Sequence, residues 1–88
     1  MMMTKDPAAV LDYKMDWSSW LDDGDTIISH TVTSPDGLSV DKSSIDDVSV
    51  IFWLSGGTDR REYPVSVQVG TAHGRVDVRS MIVLVCGR

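Results

Sequence analysis

The sequence predicts an all-β domain: a small immunoglobulin-like (fibronectin III-like) sandwich of six or seven strands, preceded by an extended N-terminal arm. Three observations predict it. Twelve valines, six threonines and eleven serines stand against three alanines, one glutamate and one glutamine, so strand formers replace helix formers. Apolar residues recur at every second position in four separate runs. Turn-forming residues separate those runs at roughly 8–15-residue intervals, the spacing of a small sandwich.

The elements follow in order. Residues 1–10 lack periodicity and carry Pro7, which predicts an arm outside the folded domain, itself expected over residues 11–88. Leu11, Tyr13, Met15 and Trp17 alternate with Asp12, Lys14 and Asp16, a first strand with one apolar face. The tract Asp22-Asp23-Gly24-Asp25 breaks the chain before a β-branched segment, Thr26 to Thr33. The buried face of that segment is ambiguous, because Ile28, His30 and Val32 share one side and Ile27 takes the other. Pro35-Asp36-Gly37 suits a turn with proline at its second position, and Leu38 and Val40 predict a short strand after it. Asp41 to Asp47 reads as a polar loop. Val48, Val50, Phe52 and Leu54 form the next strand, and Ser55-Gly56-Gly57-Thr58-Asp59 the loop beyond it. Tyr63, Val65, Val67 and Val69 form the strongest alternation, Ala72-His73-Gly74 a hairpin tip, and Met81, Val83 and Val85 the last strand. Tyr63 opens the penultimate strand, where a sandwich of this type places a tyrosine that bonds back to upstream backbone. Tyr63, Trp17 and Gly57 are therefore read as structural.

Composition bounds the function. Eighty-eight residues fit one domain, and a net charge of −5 argues against a partner held mainly through phosphates. The longest apolar run, Met81 to Cys86, is far short of the roughly 18–20 residues of a membrane helix. The first residues lack the apolar core of a secretory signal. A single cysteine, Cys86, forms no internal disulfide and no multi-thiolate metal site. Asp22, Asp23 and Asp25 lack the loop spacing and terminal glutamate of a calcium loop and read as a solvated turn. His30 and His73 stand apart from any serine or cysteine nucleophile, and Gly56-Gly57 is followed by no helix and no Lys-Ser/Thr. No catalytic machinery, cofactor or metal is expected.

The aromatic residues are more informative. Phe52 and Trp53 are adjacent in a strand and face opposite ways, so one of them leaves the core. Trp20 and Trp53 are candidate interface anchors. Ile82 and Leu84 make the last strand apolar on its second face as well, as expected for a strand that meets another subunit. With Lys5, Asp6 and Pro7 of the arm, these are the expected partner-binding residues.

The order of motifs is also familiar. Lys5-Asp6-Pro7 through Tyr13, Asp16-Trp17-Ser18-Ser19-Trp20-Leu21, Gly24-Asp25-Thr26-Ile27, Pro35-Asp36-Gly37-Leu38, Trp53-Leu54-Ser55-Gly56-Gly57-Thr58 and Thr71-Ala72-His73-Gly74-Arg75 together resemble a family of small tailed-bacteriophage virion proteins. That family belongs to the head–tail region and is described as fiber–tail adaptors. The similarity runs over residues 5–85, with departures at Val32, His73, Ile82 and Leu84. The resemblance implies a non-enzymatic structural component of the phage neck or tail, present in several symmetric copies. Such a component contacts tail, connector or fiber proteins and neither nucleic acid nor membrane. A capsid decoration protein and a carbohydrate- or host-surface-binding module are the alternative expectations.

Overall fold

The computed structural model describes residues 2–87. It holds seven strands and, among the described residues, no helix: β1 (Met2–Lys5), β2 (Leu11–Asp16), β3 (Ile27–Thr33), β4 (Leu38–Asp46), β5 (Ser49–Gly56), β6 (Arg61–Thr71) and β7 (Val76–Val85). They form two sheets, ordered β1-β7-β6-β3 and β2-β5-β4. All neighbours run antiparallel except β1 and β7, which are parallel. The order is compatible with the Greek-key arrangement of an immunoglobulin sandwich.

Alternation explains the core. Tyr13 and Met15 of β2, and Val50, Phe52 and Leu54 of β5, point from one sheet. Val65, Val67 and Val69 of β6 meet them from the other, with Met81, Val83 and Val85 of β7. Burying each such valine or leucine contributes about 1.5–3 kcal/mol. Trp17, one step past β2, is fully buried at the end of the same row, and the Tyr13 and Phe52 rings stack with centroids 6.0 Å apart.

A β-bulge settles the ambiguous face of β3. The register with β6 shifts between Ile27 and Ser29, so Ile28 is extruded and stands 64% exposed. Ile27 is thereby buried, while His30 and Val32 turn toward the interior.

Two expectations are corrected. The segment Asp41 to Asp47, read as a loop, is strand as far as Asp46 and pairs with β5. Its register slips between Val40 and Lys42, which breaks the period-2 pattern, and its exposed side chains are polar because β4 is an edge. The N-terminal arm is the second correction. Residues 2–5 are extended, yet they belong to the sheet: Met3 pairs with Val83 and Lys5 with Val85. Lys5 is only 1% exposed, and its carbonyl accepts from the Cys86 amide at 2.9 Å. Covering the edge of β7, which is apolar on both faces, outweighs the poor local pattern of the segment.

The loop into β6 is closed by Tyr63. The Thr58 amide donates to its hydroxyl at 2.8 Å, and hydrogen bonding from the Thr58 side chain and then its amide holds the phenol below its usual pKa. Its ring edge lies against Gly37 of the Pro35–Leu38 turn, clamping two loops together. Tyr63→Phe leaves the Thr58 donor without this acceptor and is expected to lower Tm by roughly 5 °C, read by thermal denaturation. An unchanged Tm would mean that the ring alone holds the corner.

Candidate partner-binding surfaces

The N-terminal residues divide. Lys5 Nζ donates to the carbonyls of Gly56 at 2.8 Å and Asp6 at 2.9 Å, so its ammonium is spent inside the fold. Burial pushes its pKa down, with Asp6 and Asp41 opposing. Lys5 is thus not offered to a partner, which corrects the expectation from sequence. Asp6 and Pro7 open a turn in which Asp6 Oδ1 accepts from the Ala8 amide and the Asp6 carbonyl from Ala9. Both are half-exposed.

Trp17 and Trp20 lie under arginines from the last hairpin and β7. Trp17 Nε1 donates to Asp77 Oδ2 at 2.9 Å, and the Arg79 guanidinium lies 4.8 Å above its ring. Arg79 also donates to the Asp16 carbonyl at 2.8 Å. Trp17 is fully buried in this setting. Trp20 is half-buried against the core, with the Arg75 guanidinium 3.9 Å from its ring centroid and Arg75 Nη1 donating to its carbonyl. A cation thus already stacks on this indole, which stays half-exposed. Between β2 and β7, Lys14, Met15, Asp16, Arg79 and Ser80 line a shallow cleft open to solvent.

Trp53 lies on the outer face of β2-β5-β4, opposite Asp12 on one side and Lys42 on the other. Lys42 Nζ stands 4.6 Å over its ring. This face is charged, with Lys14 and Asp16 on the same side of β2.

The outer face of β1-β7-β6-β3 has the opposite character. Ile82 and Leu84 are half-exposed there, beside Pro64 and Glu62 of β6. Val78 and Val76 extend the row, 54% and 63% exposed. Glu62 is the single charged residue that this face presents among the described residues, because Asp77, Arg79 and Lys5 all fall on the inner side of their strands. Ser66 and Ser80 meet across its middle, Oγ to Oγ at 3.0 Å. The valines were missed in the sequence, although Val76 and Val78 continue the spacing of Ile82 and Leu84. Gly57 has φ +97°, and a Cβ added to it would lie 2.5 Å from Val85 Cγ2.

Polar chemistry is sparse. Asp25 is buried: burial pushes its pKa up, but the Thr71 hydroxyl and the His73 and Thr26 amides together bring it below the ordinary value. His73 Nδ1 is 3.8 Å from Asp25 Oδ2, which ties the β6–β7 hairpin tip to the loop before β3. Asp22 faces away to Arg75 at 3.3 Å. Among the described residues no three His, Cys, Asp or Glu converge on a metal-sized space. His30 Nε2 is 2.8 Å from Ser43 Oγ, bridging the two sheets at their β3 and β4 edges.

The outer face of β1-β7-β6-β3 thus carries a single glutamate, and Trp20 and Trp53 are half-exposed elsewhere on the sandwich. The family model described as podophage GP4 fiber-tail adaptor protein gp77 matches residues 5–84. The chain belongs to that family. As a fiber-tail adaptor it is a structural component of a phage tail, and the match begins at Lys5 at the end of β1 and closes at Leu84 of β7. None of the curated proteins compared matches the chain.

Proposed function

We propose that this fiber-tail adaptor is a non-enzymatic joint of the tail or neck, present in several copies. One surface docks on a tail or connector protein, and the adaptor thereby carries the fiber. The family match over residues 5–84 carries the reading. The outer face of β1-β7-β6-β3, with its single charge, supports it. In a chain of net charge −5 with charges on 24% of its residues, a sheet face with one glutamate is the natural place for a dry contact. Ile82 and Leu84 are its centre, and Trp53 with Lys42 and Asp12 supplies a second, polar surface for the other partner.

The test is assembly with Ile82→Lys/Leu84→Lys protein. These side chains point outward, so the variant is expected to keep its β-sheet circular dichroism. It is expected to be missing from purified particles, which then lack fibers. Copy number counts too: neck or tail symmetry limits the adaptor to about a dozen copies or fewer, since copies seated on a tail or neck ring repeat with its symmetry. Fiber-bearing particles that contain the double variant at full level would overturn this surface, and hundreds of copies would overturn the location.

A further inference from the structure

Strand β3 ends its sheet, so the backbone groups on its outer edge meet no neighbouring strand. Edge strands are normally guarded by charge, proline or brevity. The edges of the other sheet are guarded: β2 carries Asp12, Lys14 and Asp16, and β4 carries Asp41, Lys42 and Asp46. At the far edge of its own sheet, β1 has four residues. Between Thr26 and Ser34 there is no Asp, Glu, Lys, Arg or Pro.

The open stretch has defined limits. At one end the Ile27 amide donates to the Asp47 carbonyl at 2.9 Å, which folds the β4–β5 turn over the edge, and Ile28 is extruded in the bulge. At the other end Ser34 Oγ donates to the Leu38 carbonyl and the chain turns at Pro35. Ser29 to Thr33 remain, and their midpoint is Thr31.

We propose that this edge is the contact between two copies of the chain, antiparallel about a two-fold axis at Thr31. It deepens the multicopy reading above and rests on it for its role in the particle. A two-fold contact sets each residue patch against itself, so any net charge within it is repulsive. Of the longer edges only β3 is free of charge. The Thr31 register also keeps faces matched: Thr31 meets Thr31, Ser29 meets Thr33 on the outer side, and His30 meets Val32 on the inner side. Hydroxyl pairs of this kind stabilise antiparallel neighbours. A register centred one residue earlier would set the inward Val32 against the extruded Ile28. The union is a continuous eight-stranded sheet whose outer face carries one glutamate from each copy. With five residues a side the seam is small and concentration-dependent, and anchoring on one particle raises the local concentration.

The test uses the full chain with Cys86→Ser. Thr31→Cys is expected to cross-link to itself under mild oxidation, because directly opposed Cβ atoms lie about 4.5–5.5 Å apart. Ser29→Cys and Thr33→Cys are each expected to cross-link weakly alone and well when mixed. Wild-type protein is expected to show a monomer–dimer equilibrium in sedimentation, which Thr31→Lys abolishes while retaining the wild-type circular dichroism. A wild-type chain that stays monomeric at high concentration overturns the proposal. So does a dimer that Thr31→Lys leaves intact, or one in which Ser29→Cys self-links better than Thr31→Cys. A dimer with these properties from a chain that never enters particles would sink the adaptor reading and leave the seam standing.

Discussion

Gly57→Ala is expected to be the most damaging small substitution in this protein, with a loss of about 2–5 kcal/mol. Two independent penalties add. Gly57 has φ +97°, where a Cβ meets its own backbone, and the new methyl carbon would lie 2.5 Å from Val85 Cγ2. Val85 cannot retreat, because it is fully buried and paired with both Lys5 and Arg61. The Gly57 amide also donates to the Gly37 carbonyl at 2.8 Å, so displacing the loop breaks a second turn. In a domain of this size the loss corresponds to a fall in Tm on the order of 10 °C or more. Gly74→Ala is the control, with positive φ but nothing near its would-be Cβ. Equal effects at the two positions would show that backbone strain, not the contact with Val85, sets the loss.

Removing residues 1–5 is expected to destabilise the fold by about 2–4 kcal/mol, as several backbone bonds and a charged hydrogen bond are lost together. β7 would lose a neighbour along Ile82 to Val85, and the Gly56 carbonyl would lose the Lys5 ammonium. Ordering the strand costs about 1–2 kcal/mol per residue in backbone entropy, which offsets part of the gain and keeps the figure modest. Urea denaturation reads the effect as a lower midpoint. A truncated chain with the full-length midpoint would mean that β1 rests on the sheet without supporting it.

Much of this fold is legible in the amino-acid order, for a definite reason. β2, β5, β6 and β7 bury one face with few interruptions, so their alternation survives into the sequence. β4 is obscured by its bulge at Val40–Lys42, which puts residues out of phase halfway along. β1 is obscured for a different reason. Its pairing is with the far end of the chain, and Lys5 reads as a solvated charge until the Gly56 carbonyl, 51 positions away, is brought to it. The arginines over Trp17 and Trp20 are also far away in sequence, and Arg75 turns the apparently available Trp20 indole into a half-occupied one. Ile82 and Leu84 were legible as an outward row because β7 is apolar on both faces, a pattern that one-sided burial does not produce.

The parallel pairing of β1 with β7 bears on how the molecule withstands tension. A pull that separates the start of β1 from the end of β7 acts along both strands in opposite directions, since they point the same way. Such a load slides one strand past the other, and the bonds of the ladder resist it together. An antiparallel pair gripped at its adjacent ends would instead open like a zipper, one bond at a time. Lys5 reinforces the sliding contact from the side, because its ammonium grips the carbonyl of Gly56 in the facing sheet. A load applied at those two ends would therefore meet the short first strand in shear, the direction in which its ladder with β7 is hardest to break.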